Sequence, residues 1–150
     1  MSIYPPVVSA KGVWEYPTRT LTETNLKKIV FTDSGEYTTT APYTTVVTFN
    51  LTPSIGKLIR IVGIIFKRDM KTADSLKLAY SQIYLPINAT GYLEASTSST
   101  TYVTYINRAV GPILISRVNE NVEIDVQIRA TEGYTAYITN IEVTVYYEEV

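Results

Sequence analysis

Residues 56–68 read Gly-Lys-Leu-Ile-Arg-Ile-Val-Gly-Ile-Ile-Phe-Lys-Arg, an almost unbroken apolar run between basic ends. The run is too short to cross a bilayer as a helix and too rich in β-branched residues for a comfortable helix, so it reads as a strand. Strict alternation puts Ile59, Ile61 and Ile65 on one face and Leu58, Val62, Ile64 and Phe66 on the other. Neither face suits water, and the rest of the chain must cover both.

The covers are further strands. Residues 28–32 form a short one with Ile29 and Phe31 on one face, closed by a turn at Asp33-Ser-Gly-Glu36. Residues 43–52 alternate cleanly, with Val47, Phe49 and Leu51 inward and Thr48 and Asn50 outward. After the central run, residues 69–74 read as a polar loop, and residues 76–85 form a strand ended by Pro86. Residues 88–101 are Ser/Thr-rich and read as a mobile tip or an edge hairpin. Residues 102–107 and 113–118 are two short strands separated by Gly111-Pro112. The clearest hairpin comes last: Val122, Ile124, Val126 and Ile128 face Tyr137, Ile141, Val143, Val145 and Tyr147 across a turn near Gly133.

About eight strands at spacings near ten residues, with no convincing helix, give an all-β chain. The architecture expected is a two-sheet antiparallel sandwich, jelly-roll-like. Residues 1–24 contain adjacent prolines, aromatics and no period-two pattern, so they are expected to form an extended N-terminal arm. Residues 25–150 make the β-sandwich domain.

Composition narrows function mainly by exclusion. Thirteen basic against fourteen acidic residues leave a net charge of -1, so neither nucleic acid nor an anionic membrane is an expected partner. Cysteine and histidine are absent, which removes thiol chemistry, the Cys/His zinc patterns and the commonest general base. The carboxylates Asp33 with Glu36, and Asp69 with Asp74, lack the dense ligand spacing of a calcium loop and read as solvated turn residues. No catalytic residue, cofactor site or metal site is expected. The opening Met-Ser-Ile-Tyr-Pro-Pro has neither a basic nor a continuous apolar leader region, which suggests a product kept inside the cell. The absence of cysteine and scarcity of Met and Gln suggest a heat-adapted source, although charged residues reach only 18%.

Thirteen tyrosines are in excess, clustering near residues 102–105 and 134–147. Ordinary sheet packing, interface anchoring and ligand stacking are the readings, in that order. The basic cluster Lys57, Lys67, Arg68 and Lys71 falls at the strand ends, where solvation is the default. Arg60, on the face of Val62 and Ile64, needs a partner or a subunit boundary.

The segment Trp14-x-Tyr16-x-x-Arg19-x-Leu21-Thr22 resembles a short element that recurs in virion structural proteins of tailed phages and related prokaryotic viruses, among them fibre-like and head-decorating proteins. The resemblance implies a non-enzymatic, homo-oligomeric virion component, with Trp14, Tyr16, Arg19 and Leu21 tying the β-domain to a neighbour. The expected function is that of a capsid decoration or cement protein: a trimer made in the host cytoplasm, whose arm clamps a neighbouring copy, the major capsid protein or another virion protein. The alternative is a fibre or receptor-binding head that recognises a surface glycan through its Tyr-rich end and residues 88–101.

Overall fold

The computed structural model describes residues 26–150. They form nine strands: β1 (Leu26–Asp33), β2 (Tyr37–Thr39), β3 (Thr44–Leu51), β4 (Ile59–Thr72), β5 (Ala79–Leu85), β6 (Thr90–Thr97), β7 (Val103–Ile115), β8 (Val122–Ala130) and β9 (Ala136–Glu149). The expected arm lies outside the described residues, and with it Trp14, Tyr16, Arg19 and Leu21.

Two antiparallel sheets face each other. One runs β1-β9-β4-β7, with the short β2 also paired to β9, and the other runs β3-β8-β5-β6. This is the two-sheet antiparallel sandwich that the periodicity predicts. Apart from β1 to β2 and the β5–β6 hairpin, every connection passes from one sheet to the other.

The central strand departs from strict alternation. Between Ile61 and Gly63 the register of β4 shifts against both neighbours: Val62 is an extra residue against β9, whereas against β7 the surplus lies on β7, whose residues 111–113 stand opposite Val62. Ile59, Ile61, Ile64 and Phe66 therefore all point into the core and are fully buried, where uninterrupted alternation would divide them between faces. The bulge thereby concentrates the apolar side chains of the run on its inner face. Opposite the bulge, β7 passes through Gly111 (φ +112°) and Pro112 without ending, so one edge strand of 13 residues replaces the two short strands expected. Proline is tolerated there because an edge strand has N–H groups that no ladder uses.

Three further expectations are corrected and one open alternative is decided. Residues 69–72 continue β4 instead of forming a loop, since Asp69 accepts hydrogen bonds from Thr104 Oγ1 (2.6 Å) and Asn140 Nδ2 (2.8 Å), while Met70 and Thr72 keep facing inward. Residues 90–97 form the edge strand β6, the hairpin alternative for that segment. Strands β8 and β9 are not a hairpin: both have wholly apolar inner faces, and they lie in different sheets, meeting across the core. Within β9, Asn140 (φ +51°) is a second bulge, so Ile138 instead of Tyr137 joins Ile141, Val143 and Val145 inside.

The core is thus one slab of β4 and β9 residues against Ile83, Leu85, Val122, Ile124, Val126 and Ile128 of the other sheet. Phe31 and Phe49, stacked at 4.9 Å, close it at the β1/β3 edge.

Candidate functional site

The outer face of the β1-β9-β4-β7 sheet is the least water-adapted surface among the described residues. Its register sets four cross-strand rows: Leu26, Glu148, Arg60, Ile115; then Lys28, Tyr146, Gly63, Val110; then Val30, Thr144, Ile65, Arg108; then Thr32, Glu142, Lys67, Ile106. Leu26, Val30, Ile106, Val110 and Ile115 are all exposed, Val110 by 91% and Ile115 by 62%. Tyr146 lies over Gly63, where a Cβ would meet its ring at 3.5 Å, and Ile65, in the third row, is half-buried. Isolated apolar side chains are common on surfaces, but here five are exposed on one face, two on β1 and three on β7, with Tyr146 and Ile65 between them, and such a concentration marks a candidate contact surface. Lys28, Arg60, Lys67 and Arg108 against Glu142 and Glu148 leave the face cationic.

Arg60 belongs to this face and not, as expected, to that of Ile64, because the Val62 bulge separates them. It pairs with Glu148 at 3.7 Å, a half-exposed ion pair that contributes little alone. Its Nε is buried without a hydrogen-bond partner among the described residues. Arg60 thus keeps an unmet donor on the face most suited to association.

The remaining basic residues expected at the strand ends divide. Arg68 is fully buried, contrary to the solvated position expected, because it lies on the inner face one alternation after Phe66. It donates from Nε to Ser81 Oγ (2.8 Å), from Nη1 to Phe66 O (3.1 Å) and Asn107 Oδ1 (2.5 Å), and from Nη2 to Leu93 O (3.0 Å). Burial pushes its guanidinium pKa down to about 10, so the charge survives at neutral pH. Leu93 has φ +60° at a bulge in β6, and Arg68 satisfies the carbonyl freed there, tying the two sheets together.

The tyrosines are engaged at one end of the sandwich. Lys71 lies 4.7 Å from the Tyr102 ring and 4.8 Å from that of Tyr137, Lys77 covers Tyr134 at 5.1 Å, and Arg129 covers Tyr80 at 3.8 Å and Tyr43 at 5.3 Å. Tyr102 donates to Glu36 and Tyr43 to Glu94. Burial first, and the adjacent carboxylate second, push both phenol pKa values well up. Asp33 accepts from Gly35 N and Tyr37 Oη, and Asp74 from Leu76 N, so the loop carboxylates serve local geometry.

Of the expected interface residues, Arg60 alone lies within the described residues, and it sits on the outer face. Reasoning from sequence missed Val110 and Ile115, because dividing β7 at Gly111-Pro112 hid their common direction. The legible signal was that 109–115 stays apolar through the pair.

No family model matches the chain, and no curated protein matches it. Among solved structures, it is similar to a chain of infectious bursal disease virus, Gx strain, at 11% identity and TM-score 0.37, covering 82% of this chain and 36% of that one. It is similar to VP2 of the infectious bursal disease virus subviral particle at 12% identity and TM-score 0.35, covering 82% and 37%. It is also similar to the enzymatically active domain of tailspike protein 4 of bacteriophage CBA120, at 14% identity and TM-score 0.26, covering 84% and 19%. The chain spans little more than a third of the length of the bursal disease virus chains it matches.

Proposed function

We propose that this chain is a non-enzymatic virion structural protein, a capsid decoration or cement protein that trimerises and uses residues 1–24 to clamp a neighbour. The observation that carries the reading is the outer face of β1-β9-β4-β7, where Leu26, Val30, Ile106, Val110 and Ile115 are exposed beside an incompletely bonded Arg60. Covering such a face in a symmetric oligomer stabilises the assembly by burying apolar area at roughly 25 cal/mol per Å². The motif at Trp14, Tyr16, Arg19 and Leu21 supports the virion setting, and production in the cytoplasm of a host from a hot habitat belongs to the same reading. The order β1-β9-β4-β7 over β3-β8-β5-β6, wrapped by connections that alternate between sheets, is read as a jelly roll.

Glycan recognition by stacking on the Tyr-rich end is disfavoured, since Lys71, Lys77 and Arg129 occupy the ring faces a sugar would use. The test combines sedimentation with binding to particles stripped of the protein. The parent should sediment as a trimer and rebind; Val110→Asp with Ile115→Asp should sediment as a monomer with unchanged circular dichroism. Deleting residues 1–22 should preserve the fold, because the core slab is built from residues of the nine described strands, and abolish rebinding. A parent that is monomeric at micromolar concentration, or that localises to a tail or spike in images of the particle, would overturn the reading.

A further inference from the structure

The outer face of the second sheet carries a different feature. Arg129 leaves β8 beside the segment 40–42, and its guanidinium carbon lies 3.8 Å from the centre of the Tyr80 ring and 5.3 Å from that of Tyr43. Contact with two rings holds the guanidinium in place. Among the described residues it forms no salt bridge, and its Nε is buried without a hydrogen-bond partner. Glu94, on β6, is engaged by the Tyr43 hydroxyl.

Arg129, which forms no salt bridge among the described residues, lines a groove of about 510 Å³ whose walls include Thr40, Ala41, Pro42 and Glu132. The volume falls within the range of small-ligand sites. The wall is anchored: Ala130 N donates to Ala41 O (3.2 Å), and Ala41 N to Thr39 Oγ1 (3.1 Å). Glu132 shares the groove with Arg129 yet forms no salt bridge with it. A planar, immobilised guanidinium is suited to a carboxylate in two-pronged contact. The carboxylate of Glu132 and the hydroxyl of Thr40 are suited to hydroxyl groups a few ångströms away, and Ala41 and Pro42 offer an apolar wall for C–H groups. A ligand with one carboxylate, several hydroxyls and a C–H face is an acidic sugar.

We infer that this groove binds a carboxylate-bearing saccharide unit, with the carboxylate on Arg129 and ring hydroxyls on Glu132 and Thr40. The site stands apart from the association face, on the opposite sheet, and does not rest on the virion reading. The test uses the full chain, titrated by NMR or calorimetry with N-acetylneuraminic acid, glucuronic acid, glucose and acetate. One of the acidic sugars should bind, with glucose and acetate at least about tenfold weaker. Arg129→Gln should abolish binding and Arg129→Lys should not restore it. Glu132→Gln and Thr40→Val, both at exposed positions that leave the fold intact, should each weaken it several-fold. Equal binding of acetate and the acidic sugars would reduce the site to a bare anion fork and overturn the proposal. Binding of neither acidic sugar, or acidic-sugar binding that survives Arg129→Gln, would overturn it as well.

Discussion

At the scale of single residues, Arg68 is the least replaceable side chain described. Four hydrogen bonds, to Ser81, Phe66, Asn107 and Leu93, are made by one group with no water around it. Removing it leaves buried acceptors unpaired and a cavity between the sheets, and both penalties add. Arg68→Ala should cost about 3 kcal/mol or more in urea denaturation. Arg68→Met, which keeps most of the volume, should cost clearly less while still leaving the Leu93 carbonyl unsatisfied. An Arg68→Ala protein with the parent's urea midpoint would mean that the guanidinium is not the tie between β4 and β6. Sequence reasoning assigned Arg68 to solvent because charge near a strand end usually means exposure; only the continuation of β4 through Asp69 and Met70 reverses that.

At the scale of elements, the Val62 bulge decides which side chains the sandwich contains. Ile59 and Ile61 precede it, Ile64 and Phe66 follow it, and all four reach the core because the bulge absorbs the extra residue and restores the inward phase. Deleting Val62 would leave all four on one face of a regularly alternating strand, whereas deleting Lys67 would turn either Ile64 and Phe66 or Arg68 and Met70 outward, since a one-residue slip exchanges the two faces of a strand. The Lys67 deletion should leave the protein insoluble or without a cooperative melt, whereas Val62→Ala and the Val62 deletion should both keep a cooperative melt. A folded Lys67 deletion variant would show that the strand has no fixed register. The existence and apolar nature of β4, β8 and β9 could be read in the sequence, because their side chains alternate over many residues. The bulges could not, because a bulge is decided by the partner strands, as at Gly111-Pro112 opposite Val62. The same limit applies to the β8–β9 hairpin expected from sequence: two apolar faces meet equally well side by side or across a core, and pattern alone does not distinguish them. Of the candidate interface, Arg60 could be found as a charge in an apolar strand. The apolar rows around it depend on register.

For the whole molecule, Glu149 links three parts of the chain. Its carboxylate accepts from Lys27 in β1 and from the Ser54 backbone N–H in the 53–58 connection. The Lys27 bond first, and the Ser54 backbone bond second, hold its pKa down at about 2 against an ordinary 4.5. A carboxylate whose folded pKa is depressed contributes stability above its unfolded pKa and loses it as pH falls through the folded value. The melting temperature should therefore decline between about pH 5 and pH 2. Glu149→Gln should flatten that decline and lower the neutral-pH plateau. Identical acid limbs for parent and variant would remove Glu149 from the account. Lys27 is shifted upward by the same bond, so its share is present below its ordinary 10.5 and disappears only at higher pH.

That contact also sets how the molecule bears load. Leu26 pairs with Glu148, so the point where the described chain begins lies beside its far end, and β1 runs antiparallel along β9. Force applied at Leu26 while β9 is held loads the Leu26–Glu148 rung first, and then each following rung in turn. Such a joint peels instead of shearing, yielding at low tension, with Lys27 and Glu149 as its first catch. A tether attached there would release β1 before it disturbed the slab formed by β4, β9 and the facing sheet.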